Sequence, residues 1–178
     1  MDEFKSFVKI PRLSRNIVVT EKIDGTNAQI IVSDDGKELQ AGSRTKYIDL
    51  KNDNFGFAKW VEEHKEELLT LGPGRHFGEW WGLGIQRGYG LKEKRFSLFN
   101  TALWGKDETR PKCCGVVPVI YEGPFSTTVI DIVLDKLANG GSVASPGFMK
   151  PEGVVIFHTA GGYLFKKTIE KDDQHKGE

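Results

Sequence analysis

One lysine, set between two β-branched runs and flanked by carboxylates, constrains this chain more than any other stretch. Glu21-Lys22-Ile23-Asp24-Gly25-Thr26-Asn27 follows Ile17-Val18-Val19 and precedes Ile30-Ile31-Val32. Short apolar β-branched runs interrupted by glycine read as strands joined through a tight turn. A free lysine amine has a pKa near ~10.4, so only roughly one in 2,500 is a neutral nucleophile at pH 7. A covalent role for Lys22 therefore needs desolvation, neighbouring cations or a metal. Alone, Lys-x-Asp-Gly suits an ordinary hairpin turn with a solvated lysine at least as well.

The chain of 178 residues, 38% hydrophobic and 28% charged, suits one soluble domain with a sizeable core. We assign residues 1–169 to that domain and 170–178 to a charged tail. No apolar run approaches the ~20 residues of a membrane span, and Met1-Asp2-Glu3-Phe4-Lys5 lacks the blocks of a signal peptide. Cys113 and Cys114 are adjacent, a poor geometry for an ordinary disulfide, and no Cys/His spacing suggests zinc. A reducing, cytoplasmic setting is expected. The 25 basic and 25 acidic residues cancel, so a nucleic-acid partner would be held by a local basic patch.

Residues 1–16 mix Phe4, Phe7, Val8 and Ile10 with basic residues and read as an arm packed onto the domain. Strands are expected at Ile17–Thr20, Ala28–Ser33 and Glu38–Ala41, the last two joined by Asp34-Asp35-Gly36. A compact basic loop follows at 42–46. Asn52-Asp53 offers a cap for a helix over about 54–71, with Phe57, Trp60, Val61, Leu68 and Leu71 on one face and four glutamates on the other. Arg75–Gly82 reads as an aromatic strand whose single carboxylate, Glu79, is costly to bury unless something binds it; an edge strand with Glu79 facing water is the alternative. The glycine-rich stretch 84–90 lacks phosphate-loop spacing.

Arg95–Asn100 alternates like a strand, and 87–112 is a basic stretch containing Lys92, Lys94 and Arg95, either a solvated loop or a strand-binding surface. Val116–Tyr121 reads as a strand. A helix capped by Ser126 or Thr127 buries Val129, Ile130, Val133, Leu134 and Leu137, and Gly140-Gly141 ends it. Glu152–Phe157 and Tyr163–Lys167 read as paired strands.

In this order the chain carries Lys-x-Asp-Gly at Lys22, an arginine loop at Arg44, Gly-Glu on an aromatic strand at Glu79, and an aromatic strand with Phe99. Glu-Gly-Val-Val at Glu152 and a Lys-Lys pair at Lys166 and Lys167 complete the set. Over residues 17–168 this resembles the covalent nucleotidyltransferase superfamily of polynucleotide ligases and capping enzymes. Gly25-Thr26-Asn27 and Gly78-Glu79-Trp80 resemble the nick-sealing, ATP-dependent RNA ligase 2 branch.

The resemblance implies an α+β fold: an ATP-grasp-like nucleotidyltransferase domain of antiparallel sheets with flanking helices and no appended OB-fold. It implies ATP and Mg2+ (or Mn2+) as cofactors, and RNA with 5′-phosphate and 3′-hydroxyl ends as partner. No membrane partner is implied. Lys22 would carry AMP, Lys166 and Lys167 would supply positive charge, and Glu152 would hold the metal. Asn27 and Glu79 would bind the ribose, Phe99 would stack on adenine, and Glu21 would read its edge. Arg44 would contact ribose or a 5′-phosphate; Lys92, Lys94 and Arg95 would hold RNA.

The match departs from the family in three places. Where Lys-x-Lys is common, either Lys166 is the first lysine and Thr168 stands in the second position, or Lys167 is the second and Phe165 stands in the first; Asn100 stands where an aspartate is often seen. Only about ten charged residues follow the last motif, so a partner protein replacing a C-terminal domain is an expectation too. A DNA or hybrid nick ligase, and a degenerate module that binds nucleotide or RNA ends, are the alternatives.

Overall fold

The computed structural model describes residues 3–172; residues 173–178 of the expected tail lie outside the described residues. Among the described residues, ten strands form two sheets. β1 (Asn16–Lys22), β8 (Val119–Pro124), β9 (Gly153–His158) and β10 (Tyr163–Thr168) make a four-stranded antiparallel sheet in the order β10-β9-β1-β8. β2 (Thr26–Val32), β3 (Leu39–Ser43), β4 (Tyr47–Ile48), β5 (Gly74–Gly82), β6 (Lys94–Leu98) and β7 (Cys114–Val116) make a second sheet in the order β4-β3-β2-β5-β6-β7. The arrangement is the expected α+β one of antiparallel sheets with flanking helices, apart from one parallel pair, β6 with β7.

Each sheet buries one face under helices. Alternation along β2 turns Ala28, Ile30 and Val32 inward, where they meet Trp80, Phe96 and Leu98. Against that face lie α1 (Phe57–Glu63) and α2 (Lys65–Leu69), through Phe57, Ala58, Val61 and Leu68. The Phe57 ring lies 5.3 Å from Trp80 and 5.1 Å from Phe96, centroid to centroid. In the first sheet, Ile17, Val19, Val154 and Ile156 pack beneath Ile130, Val133 and Leu137 of α4 (Thr127–Gly140). Ser126 caps α4 by accepting from the Val129 N–H at 3.3 Å. Among the described residues the opposite face of each sheet carries no helix, and the chain passes from one sheet to the other in the turn between β1 and β2.

Several elements differ from the expectation for local physical reasons. The helix expected over 54–71 is two short ones, because His64 leaves helical geometry and its ring bonds and stacks back onto Trp60. Asp53 supplies the expected capping carboxylate from a distance, accepting from the Ala58 and Lys59 N–H groups. The strand expected at Val116–Tyr121 is two strands in different sheets. Pro118, with no N–H to donate, marks the crossover, and its carbonyl accepts from the Glu21 N–H. Strand β6 ends at Leu98, and Asn100 caps the short α3 (Thr101–Trp104).

The arm does not pack onto the domain: Phe4, Phe7, Val8 and Ile10 are all exposed. Its first tie to the body is the Leu13 carbonyl, bonded to His158. The Cys113 and Cys114 sulfurs are 3.9 Å apart and unlinked. Among the described residues, no helix is long and apolar enough to cross a membrane.

Truncating Phe57, which is fully buried at the centre of the larger core, should cost about 3–5 kcal/mol. Urea unfolding of Phe57→Ala, read as a fall in midpoint at unchanged slope, checks this.

Candidate active site

Lys22 is the last residue of β1, and alternation places its side chain on the helix-free face of the first sheet. Its Nζ donates to Glu152 Oε2 at 2.6 Å, with Lys22 20% and Glu152 5% exposed. Lys22 and Gly153 are register partners, which brings Glu152, one residue earlier, to the end of the same strand pair.

The turn after Lys22 is tied down residue by residue. Ile23 is buried with Trp81, Tyr89 and Val117. The Asp24 N–H donates to the Tyr89 hydroxyl at 2.8 Å, and the Asp24 carboxylate accepts from Arg87 Nε at 3.0 Å. The Gly25 N–H donates to Glu79 Oε1 at 3.0 Å, and Asn27 Nδ2 donates to Glu79 Oε2 at 3.1 Å. A Cβ on Gly25 would stand 2.4 Å from the Trp80 carbonyl, so only glycine lets the turn sit this close to β5.

Glu79 therefore faces neither water nor an empty core. It lies on the helix-free face of the second sheet, in one register row with Asn27 and Ser97. Burial pushes its carboxyl up to about 7, and the nearby Glu152 adds to that push. The Gly25 N–H, the Lys22 charge and the Asn27 amide oppose the shift, and burial wins.

The two lysines of β10 part company. Lys166 pairs in register with Val155 and Thr20, on the same face as Lys22. Lys167 points to the opposite face and is bonded to Asp131 of α4, a contact that raises its pKa. The expected phosphate-side role of Lys167 is thus corrected by the two-residue period of the strand. The same period puts Thr168, not a second lysine, on the face of Lys166.

Glu21 is corrected on the same ground. It shares the α4 side of β1 with Ile17 and Val19, and it is 1% exposed. Its carboxylate accepts from Ser142 Oγ, the Val143 N–H and the Ala144 N–H, at 2.6, 2.8 and 2.8 Å. It anchors the 142–145 loop, and it is not open to a base.

Phe99, 40% exposed, follows β6 on the same helix-free face as Glu79. Arg44 is exposed in the β3–β4 turn and lines an open depression of about 410 Å3 with Thr26, Lys46 and Asn54. Two of the three residues expected to hold RNA have partners within the protein. Lys94 donates to the Phe55 carbonyl at 2.6 Å, Arg95 pairs with Glu93 at 2.7 Å, and only Lys92 has no such tie among the described residues.

Sequence reasoning missed Arg87 and Tyr89. Arg87 also donates to the Lys150 and Pro151 carbonyls at 2.8 and 3.2 Å, so one side chain joins the lysine turn to the segment before Glu152. The signal available was a tyrosine between two glycines, Gly88-Tyr89-Gly90, with Tyr89 itself at φ 52°.

A family model described as RNA ligase matches residues 15–168. The chain belongs to the RNA ligase family. Among solved structures, this chain is similar to a Naegleria gruberi RNA ligase, an arginine-to-alanine variant with ATP and Mn. The TM-score is 0.66 at 20% identity, over 89% of this chain and 51% of that one. A lysine-to-methionine variant of the same ligase with AMP and Mn matches with TM-score 0.65 and 19% identity, over 88% and 50%. The chain thus spans about half the length of the solved ligases it matches. No curated protein matches the sequence.

The Glu79 carboxyl makes the domain's stability depend on pH. An acid whose pKa is about 7 folded against 4.5 unfolded favours the folded state while protonated. That contribution is full below 4.5, is lost as pH rises toward 7, and stays lost above. The unfolding free energy of Glu79→Gln relative to the unmodified protein should therefore climb by up to about 3 kcal/mol across that window. Urea titrations at a series of pH values check it, and a flat difference would contradict it.

Proposed function

We propose that this RNA ligase domain takes AMP from ATP onto Lys22 and serves the joining of RNA 5′-phosphate and 3′-hydroxyl ends. The observation that carries the reading is Lys22 held against buried Glu152 at 2.6 Å, on a face shared with Lys166 and close to Glu79 and Asn27. The solved relatives, which hold ATP or AMP with Mn, support the choice of nucleotide and of a divalent cation.

In this reading Glu152 orients Nζ, and the neighbouring Lys166 charge favours the neutral amine of Lys22, whose proton leaves to solvent. The free amine attacks the α-phosphorus of ATP, the N–P bond forms, and the bond to the bridging oxygen breaks. Pyrophosphate leaves with that electron pair. Lys166 offsets negative charge on the α-phosphate, while Glu79 and Asn27 bind the ribose and Phe99 stacks on the base. An RNA 5′-phosphate oxygen then attacks the phosphorus of AMP, the N–P bond breaks and Lys22 regains a proton; a 3′-hydroxyl, losing its proton to solvent, attacks the phosphorus of the RNA 5′-phosphate, and AMP leaves with the bridging oxygen.

The residues fit a divalent cation of the Mg2+ or Mn2+ type. Glu152 offers hard oxygens, and no group of three or more His, Cys, Asp or Glu side chains able to hold a metal occurs among the described residues. Such ions commonly take one or two carboxylates and complete their shell with substrate phosphates and water. When bound, the ion would supply neutralisation of phosphate charge.

Incubation with α-labelled ATP and Mg2+ should add the mass of one AMP to the protein and none to Lys22→Ala. Lys166→Ala should slow the adduct about 100-fold, whereas Lys167→Ala should leave its rate close to that of the unmodified protein. An adduct on Lys22→Ala, or none on folded protein with Mg2+ or Mn2+, would sink this reading.

A further inference from the structure

The helix-free face of the second sheet continues past Glu79 into a row that the chemistry above does not use. Register places Tyr47, Gly42, Gln29 and Phe77 side by side across β4, β3, β2 and β5. The Phe99 N–H bonds to the Phe77 carbonyl and carries the row onto β6. Tyr47 is 59% and Phe77 52% exposed, although each lies on a sheet whose other face is a closed core. Large aromatic rings held open to water on a rigid strand face are costly unless a partner covers them.

The surface between the rings is built flat. Gln29 folds over Gly42, donating to the Ser43 carbonyl at 2.8 Å. A Cβ on Gly42 would stand 2.7 Å from Gln29 Cγ, so glycine is what keeps this part of the row low. Arg75, one row further out, donates to Gln29 Oε1 at 3.1 Å and to the Tyr47 hydroxyl at 3.2 Å. Two bonds from one guanidinium fix both neighbours, and its other N–H groups have no partner among the described residues. In these rows the one carboxylate is Glu79, which is buried.

We propose that Tyr47, Phe77 and Arg75 form a base-stacking platform for the single-stranded RNA segment next to the joined ends. The proposal rests on the function proposed above. Sequence-tolerant RNA binding needs open aromatic faces for bases and cations for phosphates, and this face offers both with no exposed carboxylate in these rows. Continuity favours RNA over a protein partner: Phe77 stands one register row from Glu79 and beside Phe99, so a strand leaving the nucleotide site along the sheet crosses it. Adjacent strands lie about 4.8 Å apart, which puts Tyr47 roughly 14 Å from Phe77, a span of a few nucleotides.

The test is fluorescence anisotropy with a labelled single-stranded RNA of about twelve nucleotides, beside lysyl-AMP formation read by intact mass. Phe77→Ala and Tyr47→Ala should each weaken RNA binding about ten-fold. Phe77→Tyr and Tyr47→Phe should keep it, and Arg75→Gln should flatten its salt dependence. Adduct formation should be unchanged in all five.

Undiminished binding in both alanine variants, or no binding by the unmodified protein, overturns the platform while leaving the adduct result standing. Loss of the adduct in Phe77→Ala would put that ring in the nucleotide site and also overturn it. So would sedimentation showing a dimer that the same substitutions dissociate, because the face would then belong to a second copy. Absence of adduct in the unmodified protein strikes the proposed function instead.

Discussion

The Lys22–Glu152 contact joins residues 130 positions apart in sequence, and it exists because β1 and β9 stay in register to their ends. A carboxylate 5% exposed loses most of its hydration, and attraction to one ammonium repays that loss only when the geometry is good. Well-packed apolar residues in both places would often be as stable or more so. The pair is thus weak evidence for stability and better evidence for a site that needs a lysine and a carboxylate in contact. Everything near it serves that contact: Arg87 holds Asp24 and the 150–151 carbonyls together, and Glu79 fixes Gly25 and Asn27.

Three buried carboxylates crowd this corner, and each is handled differently. Glu152 meets a cation, Glu21 is satisfied by a hydroxyl and two backbone N–H groups, and Glu79 accepts two neutral donors while burial raises its pKa. Glu21 lies behind the strand and acts on the loop that follows α4. Glu79 lies in front and acts on the turn. Adjacent positions on one strand, Glu21 and Lys22, thereby serve opposite faces, one tied to the loop after α4 and the other to Glu152, because side chains of a strand alternate between its faces.

What was legible in the sequence follows from the same geometry. That Lys22, Asn27, Glu79 and Glu152 come together was legible because each sits in a short motif whose spacing survives without knowledge of the fold. Lys166 and Lys167 were not separable, since the face that either one shares with Lys22 depends on the pairing of β10 with β9. The role expected for Glu21 failed for that reason too. The helix broken at His64 has an unbroken apolar period, and only the ring's bond back to Trp60 reveals the break. Val116–Tyr121 is one apolar run, and its division between two sheets is a tertiary event marked in sequence by Pro118 alone. Arg87 lay in a stretch read for its charge, whereas its work is to bind three specific oxygens.

Core and site are also divided by layer. The two larger cores fill the outer faces, under α1 and α2 on one sheet and α4 on the other. The helix-free faces carry polar, charged and exposed aromatic groups, and a small cluster of Ile23, Trp81, Tyr89 and Val117 closes the junction at the lysine turn. Side chains on the open part of those faces support no core, so their replacement leaves no internal cavity of the kind that makes core truncations costly. The junction is the exception, because Gly25 is pressed against the Trp80 carbonyl and a single added methyl group has nowhere to go. A substitution there moves Lys22 and strains the fold together, while substitutions further along either open face leave the fold intact. The stiffness that places Lys22 against Glu152 is therefore concentrated in one turn.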